Sequence, residues 1–204
     1  NRAAAMLARD THDDAERQRL EKVWEHMVDM RMYVTGGIGS LPVLEGFGRD
    51  YELDPAVAYA ETCAAIGSLL WNRELLAMTG EPRYADLEEW QLYNAASVGM
   101  GLDGTTYLYN NPLSCDGHLA RAGWYDVPCC PSNLSRLYAS LEQSVCLFEK
   151  ETVIINQYIS GSYNPVPGLR FHMRSRLPWQ GIIRITFEGG STAVTSLNLR
   201  LPAW

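Results

Sequence analysis

The chain has 204 residues, room for one large domain or two small ones. An apolar fraction of 47 % and a charged fraction of 20 % are those of an ordinary globular protein, which excludes disordered and collagen-like classes. A net charge of -7 without any Lys/Arg run argues against a nucleic-acid partner, and the longest apolar stretch, around 63–70, is too short and interrupted to span a bilayer. No signal-peptide pattern opens the chain, but residue 1 is Asn rather than Met, so the native start is expected upstream. Five cysteines, an odd number without even spacing, argue against a disulfide framework. Free thiols suit a reducing compartment, so a cytoplasmic location is expected.

Residues 20–33 carry apolar side chains at 20, 23, 24, 27, 28 and 30, a helical spacing. Residues 35–55 follow without a period, opening with Gly36-Gly37-Ile38-Gly39-Ser40 and containing Glu45, Gly46 and Gly48. About twenty irregular residues inside a domain usually form a functional loop. Residues 57–79, rich in Ala and Leu and closed by Gly80, predict a buried helix. A second helix is expected over 82–98, with Pro82 in its first turn. Residues 99–128 predict loop or short hairpin, and 131–148 a third long helix that includes Cys146. Beyond Lys150 the segments 152–160, 169–177, 181–187 and 192–201 are β-branched, separated by Gly/Pro turns, and predict strands. Helices first and strands after give a mainly α chain with a C-terminal β region, divided into domains 1–150 and 151–204.

The Gly36–Ser40 run lacks the Gly-Lys-Ser/Thr ending and the preceding strand of a phosphate loop, so it is expected to be a turn that permits close backbone approach. Glu61-x-Cys63 and the adjacent pair Cys129-Cys130 supply one carboxylate and three thiols, a donor set that zinc accepts in a tetrahedron. In a regular helix residues i and i+2 lie about 200° apart and cannot share a metal. Glu61 and Cys63 can therefore chelate together only if the helix begins after them or is locally broken there. Pro131 favours a helix start, which puts both neighbouring thiols at a helix N-terminus, where the dipole favours a thiolate. The alternative is cysteines packed as small hydrophobes. Glu45, between Leu44 and Gly46-Phe47, is either a desolvated general acid or a solvated loop residue. Tyr107, Tyr109, Trp124 and Tyr125 can stack on sugar rings or simply pack. Cys115 and the scattered His12, His26, His118 and His172 form no ligand pattern.

These motifs occur in one order: Tyr33-Val-Thr-Gly-Gly-Ile-Gly-Ser40, Glu45-Gly-Phe-Gly48, Tyr51-Glu-Leu, Tyr59-Ala-Glu-Thr-Cys-Ala-Ala-Ile-Gly67, Gly123-Trp-Tyr-Asp and Cys129-Cys-Pro-Ser-Asn133. The set resembles the β-L-arabinofuranosidases of glycoside hydrolase family 127 and their relatives, over nearly the whole chain to Leu201-Pro-Ala-Trp204. The resemblance implies part of an (α/α)6 barrel followed by the start of a β-sandwich domain. It implies a Zn2+ held by Glu61, Cys63, Cys129 and Cys130, with Cys129 as nucleophile and Glu45 as acid/base of a retaining glycosidase acting on a carbohydrate. Such enzymes are roughly three times longer. The chain is therefore expected to begin midway through the barrel, to stop early in the β region and to be inactive as an isolated piece. The competing expectation is a non-catalytic protein, either carbohydrate-binding or built around a structural zinc. Neither the exact sugar nor the oligomeric state follows from the sequence.

Overall fold

A computed structural model describes residues 1–204. The chain divides into two compact units, Asn1–Tyr138 and Ala139–Trp204. The first is helical. Helix α1 (Arg2–Thr11) precedes the predicted elements and was not legible in them. It ends at His12 in the left-handed conformation and buries Ala5 and Ala8. Helix α2 (Asp14–Arg31) is capped by Asp13, whose carboxylate accepts from the Glu16 N–H at 3.0 Å. Its outer face is laced by Arg17–Asp14, Arg17–Glu21 and Arg19–Glu16 pairs, which as solvent-screened surface pairs contribute little. Its inner face buries Leu20, Trp24 and Met27, which matches the predicted spacing.

Helix α3 (Thr62–Thr79) is the centre of this unit. It is buried on several sides, as its Ala/Leu-rich composition requires, and Gly80 closes it at φ 70°. The predicted start at residue 57 is corrected: 57–61 are not helical, Ala60 holds φ 34° and Glu61 is the extended N-cap. Backbone bonds explain the displacement. Ala60 N–H donates to Gly39 O at 2.8 Å and Thr62 N–H to Tyr109 O at 3.1 Å, so these donors are engaged by loops. Helix α4 (Pro82–Gln91) continues as one π-helical turn, Leu92–Ala96, and a 3-10 turn, Ser97–Gly99, filling the predicted 82–98 span.

A chain of buried hydrogen bonds ties these helices to the glycine-rich loop. Trp24 Nε1 donates to Asn72 Oδ1 at 2.6 Å, and Asn72 Nδ2 to Gln91 Oε1 at 3.0 Å. Gln91 Nε2 then donates to Gly36 O at 2.9 Å and to Ser68 Oγ at 3.0 Å. Gly36 sits at φ +84°, and a Cβ there would lie 2.9 Å from the Gln91 side chain, so both conformation and space require glycine. The loop is thus a backbone junction, consistent with its lack of a phosphate-loop ending.

Helix α5 (Cys129–Ala139) starts at the cysteine pair itself. The predicted long helix over 131–148 is corrected here. After the short α6 (Glu142–Val145), Cys146 opens strand β1 (Cys146–Glu149) instead of packing as helix core. Apolar residues at 141, 145 and 148 fit a helical period, but the two-residue turn Lys150-Glu151, at φ 46° and 65°, pairs β1 with β2 (Thr152–Ile155) in a tight antiparallel hairpin.

The second unit holds two three-stranded sheets, with orders β1-β2-β6 and β3-β4-β5. Strand β3 (Gly161–Val166) is additional to the predicted set. Strands β4 (Leu169–Arg176), β5 (Gln180–Gly189) and β6 (Ser196–Leu199) fall within or around predicted segments. Alternating residues of β2–β4, namely Val153, Ile155, Tyr163, Phe171 and Met173, build its core. No helix of the chain is long and apolar enough to cross a membrane.

Candidate active site and metal centre

The N-terminus of α3 brings Glu61 and Cys63 to one side. Glu61 is extended, at φ -60° and ψ 137°, while Cys63 lies in the first helical turn. Asn111 fixes this junction: its Nδ2 donates to Ala60 O at 2.9 Å and to Thr62 Oγ1 at 3.0 Å, and Thr62 Oγ1 donates to Leu108 O at 3.0 Å. Gly99 leaves room for Thr62, since a Cβ there would meet Oγ1 at 2.4 Å. The first turn of α5 supplies Cys129 and Cys130, steadied by Ser132 Oγ donating to Pro128 O at 2.9 Å.

The four side chains converge. Cys63 Sγ lies 3.4 Å from Cys130 Sγ, and Cys129 Sγ 3.7 Å from Cys130 Sγ. Glu61 Oε1 lies 3.4 Å from Cys129 Sγ and 3.7 Å from Cys130 Sγ. All four donor atoms fall within 4.8 Å of one another, a grouping that can hold a metal ion. Every cysteine of the chain is a free thiol, because these separations far exceed a disulfide bond of about 2.05 Å. Cys130 is fully buried, while Cys63 and Cys129 are half-buried.

Such crowding is unfavourable for negative charge. The Cys63 thiol is pushed above its ordinary range by its hydrogen bond with Cys130 and by burial. Burial and the contact with Cys63 raise Cys129, while the Tyr109 hydroxyl opposes the rise. Asn133 Nδ2 donates to Cys63 Sγ at 3.1 Å, the contact of an amide with an electron-rich sulfur. Asn133 lies four residues after Cys129, on the same helix face; that spacing could have singled it out beside the cysteines.

Glu45 stands apart from this cluster, on the loop closed by the Leu41–Gly46 bridge. Gly48 N–H donates to Ser40 Oγ at 2.8 Å and supports the loop from the other side. Glu45 itself holds φ 47° and is exposed, as are Val43, Leu44 and Phe47. Its carboxylate accepts from Tyr109 Oη at 3.1 Å. Tyr109 also lies near enough to Cys129 and Tyr59 to influence their protonation and be influenced by them, so one phenol stands between the loop carboxylate and the thiol cluster. Tyr59 and Tyr125 flank it, with ring centroids 6.0 Å and 5.8 Å away. The Tyr59 hydroxyl is held above its usual pKa chiefly by burial, and that of Tyr109 chiefly by the neighbouring Tyr59 hydroxyl, with burial adding to it. Both remain proton donors at neutral pH. Tyr59 precedes Glu61 by two residues in extended chain, a same-side spacing that could have marked it.

The remaining singled-out residues lie elsewhere. Cys115 is exposed. His118 is exposed near Asp116, His26 pairs with Asp50 and His172 with Glu188. None of the four histidines joins the thiols.

The sequence matches the family of β-L-arabinofuranosidase GH127 catalytic domains over residues 2–143, and the chain belongs to that family. It is 34 % identical over 200 residues to the non-reducing end β-L-arabinofuranosidase of Bifidobacterium longum subsp. longum, a match covering 90 % of this chain and 30 % of that protein. The fold superposes on a solved GH127 β-arabinofuranosidase with a TM-score of 0.92 at 36 % identity, covering 100 % of this chain and 32 % of that one. A GH127 β-L-arabinofuranosidase from Geobacillus stearothermophilus T6 gives 0.87 at 33 % identity, covering 100 % and 34 %. The chain thus spans about a third of the length of these relatives.

Proposed function

We propose that this chain is the site-bearing part of a retaining, zinc-dependent glycoside hydrolase with a cysteine nucleophile, releasing β-L-arabinofuranose or a similar sugar from glycans or glycoconjugates. The observation that carries this reading is the convergence of Glu61, Cys63, Cys129 and Cys130 beside a phenol that leads to Glu45. The helical unit is read as part of an (α/α)6 barrel and the β unit as the start of a β-sandwich.

The donor set fits zinc. Tetrahedral thiolates at about 2.3 Å from the metal stand about 3.8 Å from each other, and the sulfur–sulfur separations here are 3.4 and 3.7 Å. Glu61, Cys63, Cys129 and Cys130 would hold the ion. When bound, it would keep the thiols deprotonated and temper the basicity of Cys129.

The residues divide the reaction as follows. Cys129 Sγ attacks the anomeric carbon as the bond from that carbon to the leaving oxygen breaks. Glu45 gives its proton to that oxygen. In the second half-reaction Glu45 takes a proton from water, the water oxygen bonds to the anomeric carbon, and the carbon–sulfur bond breaks to restore Cys129. Tyr109 holds the Glu45 carboxylate toward the thiol.

The experiment uses the complete protein with an aryl β-L-arabinofuranoside. Cys129→Ser and Glu45→Gln are each expected to abolish turnover, and Glu45→Gln to leave zinc content unchanged. Near-normal activity in either variant removes the proposed roles. Stoichiometric zinc in a wild-type protein without glycosidase activity would favour the structural-zinc or carbohydrate-binding alternative.

A further inference from the structure

Residues 56–60, Ala-Val-Ala-Tyr-Ala, lead straight towards α3, and alanine, the residue that most favours a helix, recurs at 56, 58 and 60. No glycine or proline stands among them to stop a helix from winding back, yet α3 starts only at Thr62. The interruption has a chemical consequence. A helical Glu61 would lie about 200° around the axis from Cys63, and the two side chains would part. Whatever keeps Glu61 extended is therefore part of what brings the four donor atoms within 4.8 Å of one another.

The break falls at Ala60. It holds φ 34°, in the left-handed region that a residue with a Cβ rarely enters, so its neighbours must hold it there. Two segments do so. On one side Gly39, itself at φ +94°, presents its carbonyl to Ala60 N–H at 2.8 Å. Gly37 leaves room for the Ala60 methyl, since a Cβ on residue 37 would lie 3.1 Å from it. On the other side Asn111 Nδ2 donates to Ala60 O at 2.9 Å and to Thr62 Oγ1 at 3.0 Å. The Thr62 hydroxyl gives its own proton to Leu108 O, so towards Asn111 it accepts, and this fixes which end of the amide faces Ala60. Main-chain bonds flank the amide, from Asn111 N–H to Tyr59 O at 3.3 Å and from Thr62 N–H to Tyr109 O at 3.1 Å. Ala60 is buried, and all these residues lie within the first compact unit.

We infer that Asn111 is a positioning residue for Glu61: by holding Ala60 left-handed it stops α3 from winding back through the carboxylate donor, and so keeps Glu61 on the side of Cys63, Cys129 and Cys130. The role rests on the metal site proposed above. It also gives the glycine-rich run a purpose, because Gly37 and Gly39 form the opposite jaw of the same clamp.

The experiment measures zinc affinity of the complete protein by competition with a fluorescent chelator. Asn111→Ala is expected to bind zinc about tenfold more weakly, the factor that corresponds to the left-handed penalty of a residue with a Cβ. Adding Ala60→Gly to that variant is expected to recover most of the loss, because glycine enters the left-handed region freely and disfavours helix. Ala60→Gly alone should bind zinc like the wild type. The rescue separates positioning from a general weakening of the fold, which a further glycine would deepen. Gly39→Ala, strained at φ +94°, should show the same loss and the same rescue, and it carries the test if Asn111→Ala does not fold. Unchanged zinc affinity in Asn111→Ala, or a loss that Ala60→Gly leaves in place, would overturn the positioning role while the metal site stands. A wild-type protein that binds no zinc would overturn the metal site and the role together.

Discussion

The Tyr109 hydroxyl donates to Glu45 Oε1 at 3.1 Å, across 64 residues of sequence. That single bond ties the exposed loop carboxylate to a phenol that neighbours the thiol cluster. Its removal is informative. Tyr109→Phe keeps the ring packed between Tyr59 and Tyr125 but frees Glu45 to wander. A net loss of about 1.5 kcal/mol for a hydrogen bond to a carboxylate corresponds to roughly tenfold in rate. Steady-state kinetics of the complete enzyme should show kcat lowered by about that factor, with zinc content unchanged.

Asn133 is expected to tune the metal centre without ligating it. Its amide donates to Cys63 Sγ at 3.1 Å, which favours the thiolate form that a metal requires. Asn133→Ala should lower zinc affinity by about 10–100-fold, the range for partners of metal ligands. Competition against a fluorescent chelator measures this directly, and Cys63→Ser gives the larger reference loss. An unchanged affinity would show that the contact with Cys63 is incidental.

The ion pair between Arg73 on α3 and Glu88 on α4, at 2.8 Å, is almost wholly out of solvent, with side chains 10 % and 1 % exposed. Breaking such a pair from one side leaves a buried charge and costs about 3–5 kcal/mol. Arg73→Met should therefore strongly lower the unfolding free energy in urea. The Arg73→Met/Glu88→Leu double variant should recover most of the loss, since apolar replacement of both partners is often neutral.

Cys146 is predicted to be a slow thiol. Burial, with Glu142 nearby, pushes its pKa up to about 11. At pH 8 only about one molecule in a thousand then carries the reactive thiolate, whereas Cys115 is exposed. Alkylation followed by peptide mapping should label Cys115 first, and Cys146 at a rate that climbs tenfold per pH unit towards 11. The raised folded value also makes stability depend on pH, because burial penalises the thiolate in the native state. Stability is unaffected by this group below the unfolded thiol pKa of about 8.5 and falls as pH rises towards about 11.

The elements that sequence periodicity placed well are those whose partners lie close along the chain. The inner stripe of α2 and the Gly80 stop of α3 follow from local spacing and backbone preference. The strand at Cys146–Glu149 did not. Its apolar residues satisfy a helical period as well as a strand, and the decision fell to pairing with Thr152–Ile155 across the Lys150-Glu151 turn. Helix α1 buries only Ala5 and Ala8, and its apolar residues form one unbroken run over 3–8 that carries no helical spacing.

By itself the sequence determined the donors: one carboxylate and three thiols, with the condition that a helix start at Glu61-x-Cys63. It also held the ordered motifs that carry the family. What only the tertiary structure decided was the meeting of segments 67–69 residues apart. That meeting depends on Asn111 and the Tyr109 carbonyl holding the start of α3 open, and on α5 beginning at Cys129. The position of Glu45 rests likewise on a phenol from a loop 64 residues away. Spacing along a chain constrains only neighbours within a turn or two; contacts between distant segments are fixed by packing and by which backbone donors the loops have already engaged.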